Sequence, residues 1–252
     1  MITERRGIVL PIDAHGINRV TLERVVTLAR QLDRSLLGLM LDSPDLRRIA
    51  ELPFTTEISL DSGQERSVAG RYKAGTGNGA SRTRLLLDEL AARDRVELRF
   101  EEVAADRLEA AFAGDRRLDV FFPARTRWQL ASSTYYRGPR SFRTLAVMLT
   151  GGEGDEPVLA MASALLLLEP PAQICLYCCG EPSENALQRL TGSGVRLCVQ
   201  SNFSSNAAAL PELIQRSAYD LLLLPRNAAA NVPPPLLQSA LDSASGQVLV
   251  VT

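Results

Sequence analysis

A chain of 252 residues is long enough for one large or two small domains, each able to bury a core. With 46% apolar and 23% charged residues the composition is that of a globular protein, which excludes a disordered or fibrous chain. A formal net charge of −1 excludes the strong basic field of a general nucleic-acid binder, so no nucleic-acid partner is expected.

The first element is a short apolar strand over 7–13 (GIVLPID), which ends in an acid and opens into the loop Ala14-His15-Gly16. Asn18 stands where a helix cap is needed, and Leu22, Val25, Val26, Ala29 and Leu32 recur at helical spacing behind it. Residues 36–41 (LLGLML) read as a second buried strand. A strand, a helix and a strand in that order require a crossover, which builds a doubly wound parallel sheet.

An insert at about 42–80 then interrupts the rhythm. It carries Leu46, Ile49, Leu52, Phe54 and Ile58, enough apolar residues to predict partial order. The segment GTGNGAS, 75–81, lacks the strand that must precede a dinucleotide turn and reads as a flexible lead-in capped by Ser81. A helix over 82–93, with Leu85, Leu86 and Leu90 inward, leads to a strand over 96–103, a short helix over 108–112 and a buried strand over 119–123 (DVFFP).

Residues 125–143 hold five arginines and no acid among Ser, Tyr, Gly and Pro, the mark of a domain junction. The series then restarts. Strands are expected over 144–150, 173–179, 195–200, 221–224 and 247–251, with helices over 158–168, 186–190, 210–217 and 236–241 between them. The apolar run 159–168 is broken by Ser163 and ends at Glu169, short of the roughly 20 residues of a bilayer span, so no membrane partner is expected. The expected organisation is two similar lobes, 1–130 and 140–252. Up to Arg143 there are 24 basic and 20 acidic residues, after it 4 and 9, an asymmetry that would help the lobes dock as a pseudo-dimer.

His15 is the only histidine, which excludes a multi-histidine metal site, and no catalytic or metal-binding set is expected; in its loop it reads as a solvated side chain. Cys175, Cys178, Cys179 and Cys198 lie within apolar strand-like runs, where they read as buried, inert thiols in a reducing compartment rather than as a zinc knuckle, which needs a turn between ligands. Arg125, Arg127, Arg137, Arg140 and Arg143 read as a solvated junction, with an anion site as the alternative. Met1–Arg6 runs directly into the first strand with no apolar leader, and a cytoplasmic address is expected.

Taken together, Val9–Asp13, the run LLGLMLD at 36–42, Asp119–Arg125, Asp220–Arg226 and the closing run 247–251 resemble a tandem universal stress protein, over nearly the whole chain. The resemblance implies two doubly wound α/β lobes of the adenine nucleotide α-hydrolase-like kind. It also implies a ligand edge built from Asp13, His15, Gly16 and Leu41, with Arg125 and Arg127 opposing a phosphate. In the ATP-binding branch of that family a glycine loop follows the fourth strand and lets backbone N–H groups approach phosphate oxygens. Here the fourth strands are followed by Pro123-Ala124-Arg125 and Pro225-Arg226-Asn227, with no glycine before Gly138 and Gly246. The resemblance is therefore to a degenerate member without the cradle. What it implies is a non-catalytic regulatory or stress-response module without a cofactor, acting through an unknown protein partner or as a homodimer. The alternatives are an adenine-nucleotide (ATP) binder using the first lobe alone and, third, a nucleotide hydrolase.

Overall fold

The computed structural model describes residues 6–13, 16–42, 56–58, 65–67, 78–113, 117–124, 142–191, 194–203, 209–216 and 218–252. The fold is α/β with parallel sheets, as the strand and helix rhythm implies. The chain divides into two compact units, Met1–Asp115 and Arg116–Thr252.

In the first unit, β1 (Gly7–Ile12), β2 (Ser35–Leu41) and β5 (Leu98–Val103) form parallel neighbours in the order β5-β2-β1. Gly7 to Ile12 pair with Ser35 to Met40, and Leu36 to Leu41 pair with Leu98 to Val103. Helix α1 (Arg19–Gln31) supplies the first crossover. Its start is fixed by Asn18, whose side chain accepts the Thr21 N–H at 2.9 Å and satisfies one of the four donors a helix start leaves open. Within the insert, β3 (Thr56–Ile58) and β4 (Glu65–Ser67) pair antiparallel.

Helix α2 (Asn78–Asp94) begins one turn earlier than expected, so Ser81 lies inside it and is not its cap. Three leucines in succession cannot share one face at 100° per residue. The buried stripe is Ala80, Thr83, Leu87, Leu90 and Ala91, while Leu85 is 71% exposed. The expectation that Leu85 points inward is thus corrected: the face that packs runs through Thr83, Leu87 and Leu90, and Leu85 lies on the far side of it. Helix α3 (Arg107–Ala113) packs on β1 and β2.

The second unit holds β6 (Asp119–Phe122), β7 (Thr144–Leu149), β8 (Gln173–Cys178), β9 (Arg196–Gln200), β10 (Leu221–Pro225) and β11 (Gln247–Val251). Their order is β9-β8-β7-β10-β11-β6, with β6 antiparallel to β11 and the other pairings parallel. β6, which the sequence rhythm places at the end of the first series, pairs with the last strand of the second. The connecting helices are α4 (Asp155–Leu168), α5 (Glu184–Leu190), α6 (Ala209–Arg216), α7 (Arg226–Ala230) and α8 (Pro234–Asp242). Every residue of β10 and β11 is buried and all but Gln247 are apolar, the pattern of strands covered on both faces.

Two acids tie the strands together at their ends. Asp220 Oδ2 accepts the N–H groups of Arg143 and Thr144 at 2.8 and 2.9 Å, which binds the start of β7 to the start of β10. Asp119 Oδ1 accepts the Thr252 N–H at 2.9 Å, where the antiparallel β6 meets the end of β11. Both acids occupy the positions where the sequence shows an acid before a fourth strand, and both satisfy backbone donors. No helix among the described residues is long and apolar enough to cross a membrane.

Candidate functional site

In an open parallel sheet, ligands enter beyond the carboxyl ends of the strands, where the chain reverses its direction of travel across the sheet. In the second unit that reversal lies between β7 and β10: the chain runs outward through β8 and β9, then returns to β10 and β11. Two connections flank the crevice, the loop Thr150–Gly154 and the start of α7.

An acid fills the loop. Asp155, the first residue of α4, turns back so that Oδ1 accepts the Thr150 N–H at 2.8 Å and the Thr150 hydroxyl at 3.0 Å, while Oδ2 accepts the Gly151 N–H at 2.7 Å. Two successive backbone N–H groups beyond a strand end are the type of donor pair that holds a phosphate oxygen. Here the protein's own carboxylate takes them. Glu156, the next residue, is paired with Arg189, Nη1 to Oε1 at 2.8 Å.

The other wall is equally closed. Helix α7 begins at Arg226, directly after β10, with Pro225 at its cap position and no side-chain cap bond. Asn227 Oδ1 accepts the Ala228 N–H at 2.8 Å, so one of the helix-start donors is already satisfied. Asn227 also presses against the opposite loop: a Cβ on Gly154 would lie 2.8 Å from its Oδ1. Where a glycine cradle would open the backbone to phosphate, the chain places side chains and a helix turn.

Asp155 also acts on the thiols at the end of β8. Cys178 is buried, and burial first, then the charge of Asp155 and the neighbouring Cys179, push its thiol up to about 11. Cys179, whose N–H donates to Leu149 O at 3.1 Å, is raised by burial and by Asp155. Cys175, Cys179 and Cys198 are only partly buried, which departs from the expectation of buried thiols. Among the described residues no group of three or more His, Cys, Asp or Glu is placed to hold a metal ion.

In the first unit, Ile12 pairs with Met40, so Asp13 and Leu41 come next along adjacent parallel strands at one carboxyl edge. Asp13 is half-buried, Leu41 is buried, and the Asp13 carbonyl accepts the Gly16 N–H at 3.0 Å. Gly16 has φ of +74°, and a Cβ there would lie 2.6 Å from Gly79 O in the first turn of α2. The Ile17 N–H donates to Thr83 Oγ1 at 2.8 Å, and Thr83 is almost wholly buried. The loop after β1 is therefore fastened to the start of α2. Three of the expected edge residues, Asp13, Gly16 and Leu41, share this edge. His15, Arg125 and Arg127 lie outside the described residues.

Asp155 was not singled out from the sequence because it lies five residues beyond Thr150, at the start of a helix rather than at a strand end. The signal was present in Gly154-Asp155-Glu156-Pro157, since an acid followed closely by proline marks a helix start. Its closeness to the loop depends on the turn made at Gly151, which has φ of +80°.

No protein-family model matches the chain. No curated protein matches it. Among solved structures, the chain is similar to a functionally unknown protein, PA1789, from Pseudomonas aeruginosa PAO1, over 98% of this chain and 92% of that one, with 9% identity and a TM-score of 0.42.

Proposed function

We propose that this chain is a non-catalytic regulatory or stress-response module of the universal-stress-protein kind, whose second unit does not hold ATP. The observation that carries the reading is the Asp155 carboxylate, bonded at 2.7 and 2.8 Å to the backbone donors that a phosphate would need. A triphosphate entering that crevice would have to displace an internal anion. Two like charges about 4 Å apart cost about 1 kcal/mol even in water, and more where the site is partly dry. The module then works through protein contacts, with a partner chain or a second copy of itself, in the cytoplasm.

A second reading, an adenine nucleotide held by the first unit alone, draws on Asp13, Gly16 and Leu41 lying at one strand edge. Small molecules released on denaturing the purified full chain, identified by mass spectrometry, separate the two. The expected result is no stoichiometric nucleotide. A stoichiometric adenine nucleotide retained by the native protein would overturn the leading reading, and its loss in Asp13→Ala would establish the second.

A further inference from the structure

The sequence separates Cys175 from Cys198 by a strand end, a helix and a loop, but the sheet brings them side by side. β8 and β9 are parallel neighbours, and their register pairs Cys175 directly with Cys198. A single group touches both sulfurs: Gln173 Nε2 donates to Cys175 Sγ at 3.2 Å and lies 3.6 Å from Cys198 Sγ. The two thiols therefore point to the same face of the sheet, on either side of one amide.

That face is open to small reagents. Along β8 the residues Gln173, Cys175 and Tyr177 are half-exposed while Ile174, Leu176 and Cys178 are buried, and in β9 Cys198 is half-exposed between partly or fully exposed neighbours. β9 ends the strand order of its unit and pairs on one side only among the described residues, so reagents reach the pair from the outer edge. Adjacent strands lie about 4.8 Å apart and a disulfide needs Cα atoms about 4.4–6.8 Å apart, so only a small shift of the side chains and the outer strand is required.

We propose that Cys175 and Cys198 form a modification site for peroxide, closing to an intramolecular disulfide across β8 and β9. The thiolate of one cysteine attacks the O–O bond of hydrogen peroxide, becoming a sulfenic acid and releasing hydroxide, which is protonated to water. The thiolate of the other attacks that sulfur, the S–S bond forms and a second water leaves. Two thiols are oxidised by two electrons and one peroxide is reduced to two waters. A small dithiol reverses the step by exchange.

The other two cysteines provide an internal contrast. Cys178 lies on the opposite face of β8 from Cys175, three residues away, and is buried with its thiol held neutral by burial and by Asp155. It can neither reach the pair nor compete with it for peroxide.

The test treats the reduced, desalted full chain with hydrogen peroxide, blocks the remaining thiols with one alkylating reagent, reduces, and labels again with a second. Peptide mass spectrometry should find Cys175 and Cys198 carrying the second label, joined in the unreduced digest, and Cys178 and Cys179 carrying the first. In Cys175→Ser, and independently in Cys198→Ser, dimedone should trap a sulfenic acid on the remaining partner, because its resolving thiol is gone. A Cys178–Cys179 bond, a disulfide-linked dimer, or Cys175 and Cys198 both remaining thiols would overturn the proposal. So would over-oxidation of either one without the cross-link.

Discussion

Replacing Asp155 with alanine removes three hydrogen bonds to one carboxylate, at 2.8, 3.0 and 2.7 Å, from a half-buried threonine and an exposed glycine. A hydrogen bond to a charged group contributes about 1.5–3 kcal/mol, but water can replace the one at exposed Gly151 at little cost. The pair at Thr150 carries most of the loss. Removing an acid from the first residue of α4 adds about 0.3–1 kcal/mol through the helix dipole. The expected destabilisation is therefore about 2–4 kcal/mol, or a fall of roughly 5–15 °C in midpoint for a chain of this size. Urea unfolding followed by circular dichroism measures the size, and hydrogen exchange locates it, with protection lost at Thr150, Gly151 and the first turn of α4. Glu153→Ala, at an exposed neighbour, should stay within about 0.5 kcal/mol of the parent. If Asp155→Ala were equally silent, or if exchange at Thr150 and Gly151 were unchanged, the carboxylate would not be holding the loop.

Gly16→Ala should destabilise the first unit by about 1–3 kcal/mol, because the residue has φ of +74° and its new Cβ would lie 2.6 Å from Gly79 O; an unchanged urea midpoint would refute the fastening of that loop to α2. Cys178 has its folded pKa raised to about 11, so the neutral thiol is the folded form, and its contribution is full below the ordinary thiol range and lost as pH rises from about 9 through 11. The fall in urea midpoint over that window should be shallower in Cys178→Ala than in the parent, and parallel curves would show that this thiol does not titrate against folding.

Strand and helix succession was legible because each strand is a short apolar run and each helix carries a stripe, signals that reside in neighbouring residues. Asn18 capped α1 where its position said it should, since a cap is a contact across three residues. What depended on distant partners was not legible. Nothing local in Asp119–Phe122 tells that it pairs antiparallel with β11, because strand direction is set by the route of the chain between them. The start of α2 was misplaced by a turn because Gly79 weakens a helix in isolation. Helix α7, five residues of which three are alanine, is too short to show a period. Of the candidate site, the lack of glycine after each fourth strand was legible outright, while the carboxylate that takes the loop donors after β7 needed the turn of the loop to bring it home. The pairing of Cys175 with Cys198 needed the register of two strands.

Calorimetric titration of magnesium-ATP into the full chain tests the closed second crevice most directly. Without the cradle, and with Asp155 occupying the loop donors, no saturable binding tighter than about millimolar is expected, equivalent to roughly −4 kcal/mol. Micromolar binding that disappears in Asp13→Ala would move the site to the first unit. Micromolar binding that survives Asp13→Ala and tightens in Asp155→Ala would contradict the central claim, because the second crevice would then be a working nucleotide site merely moderated by its own acid.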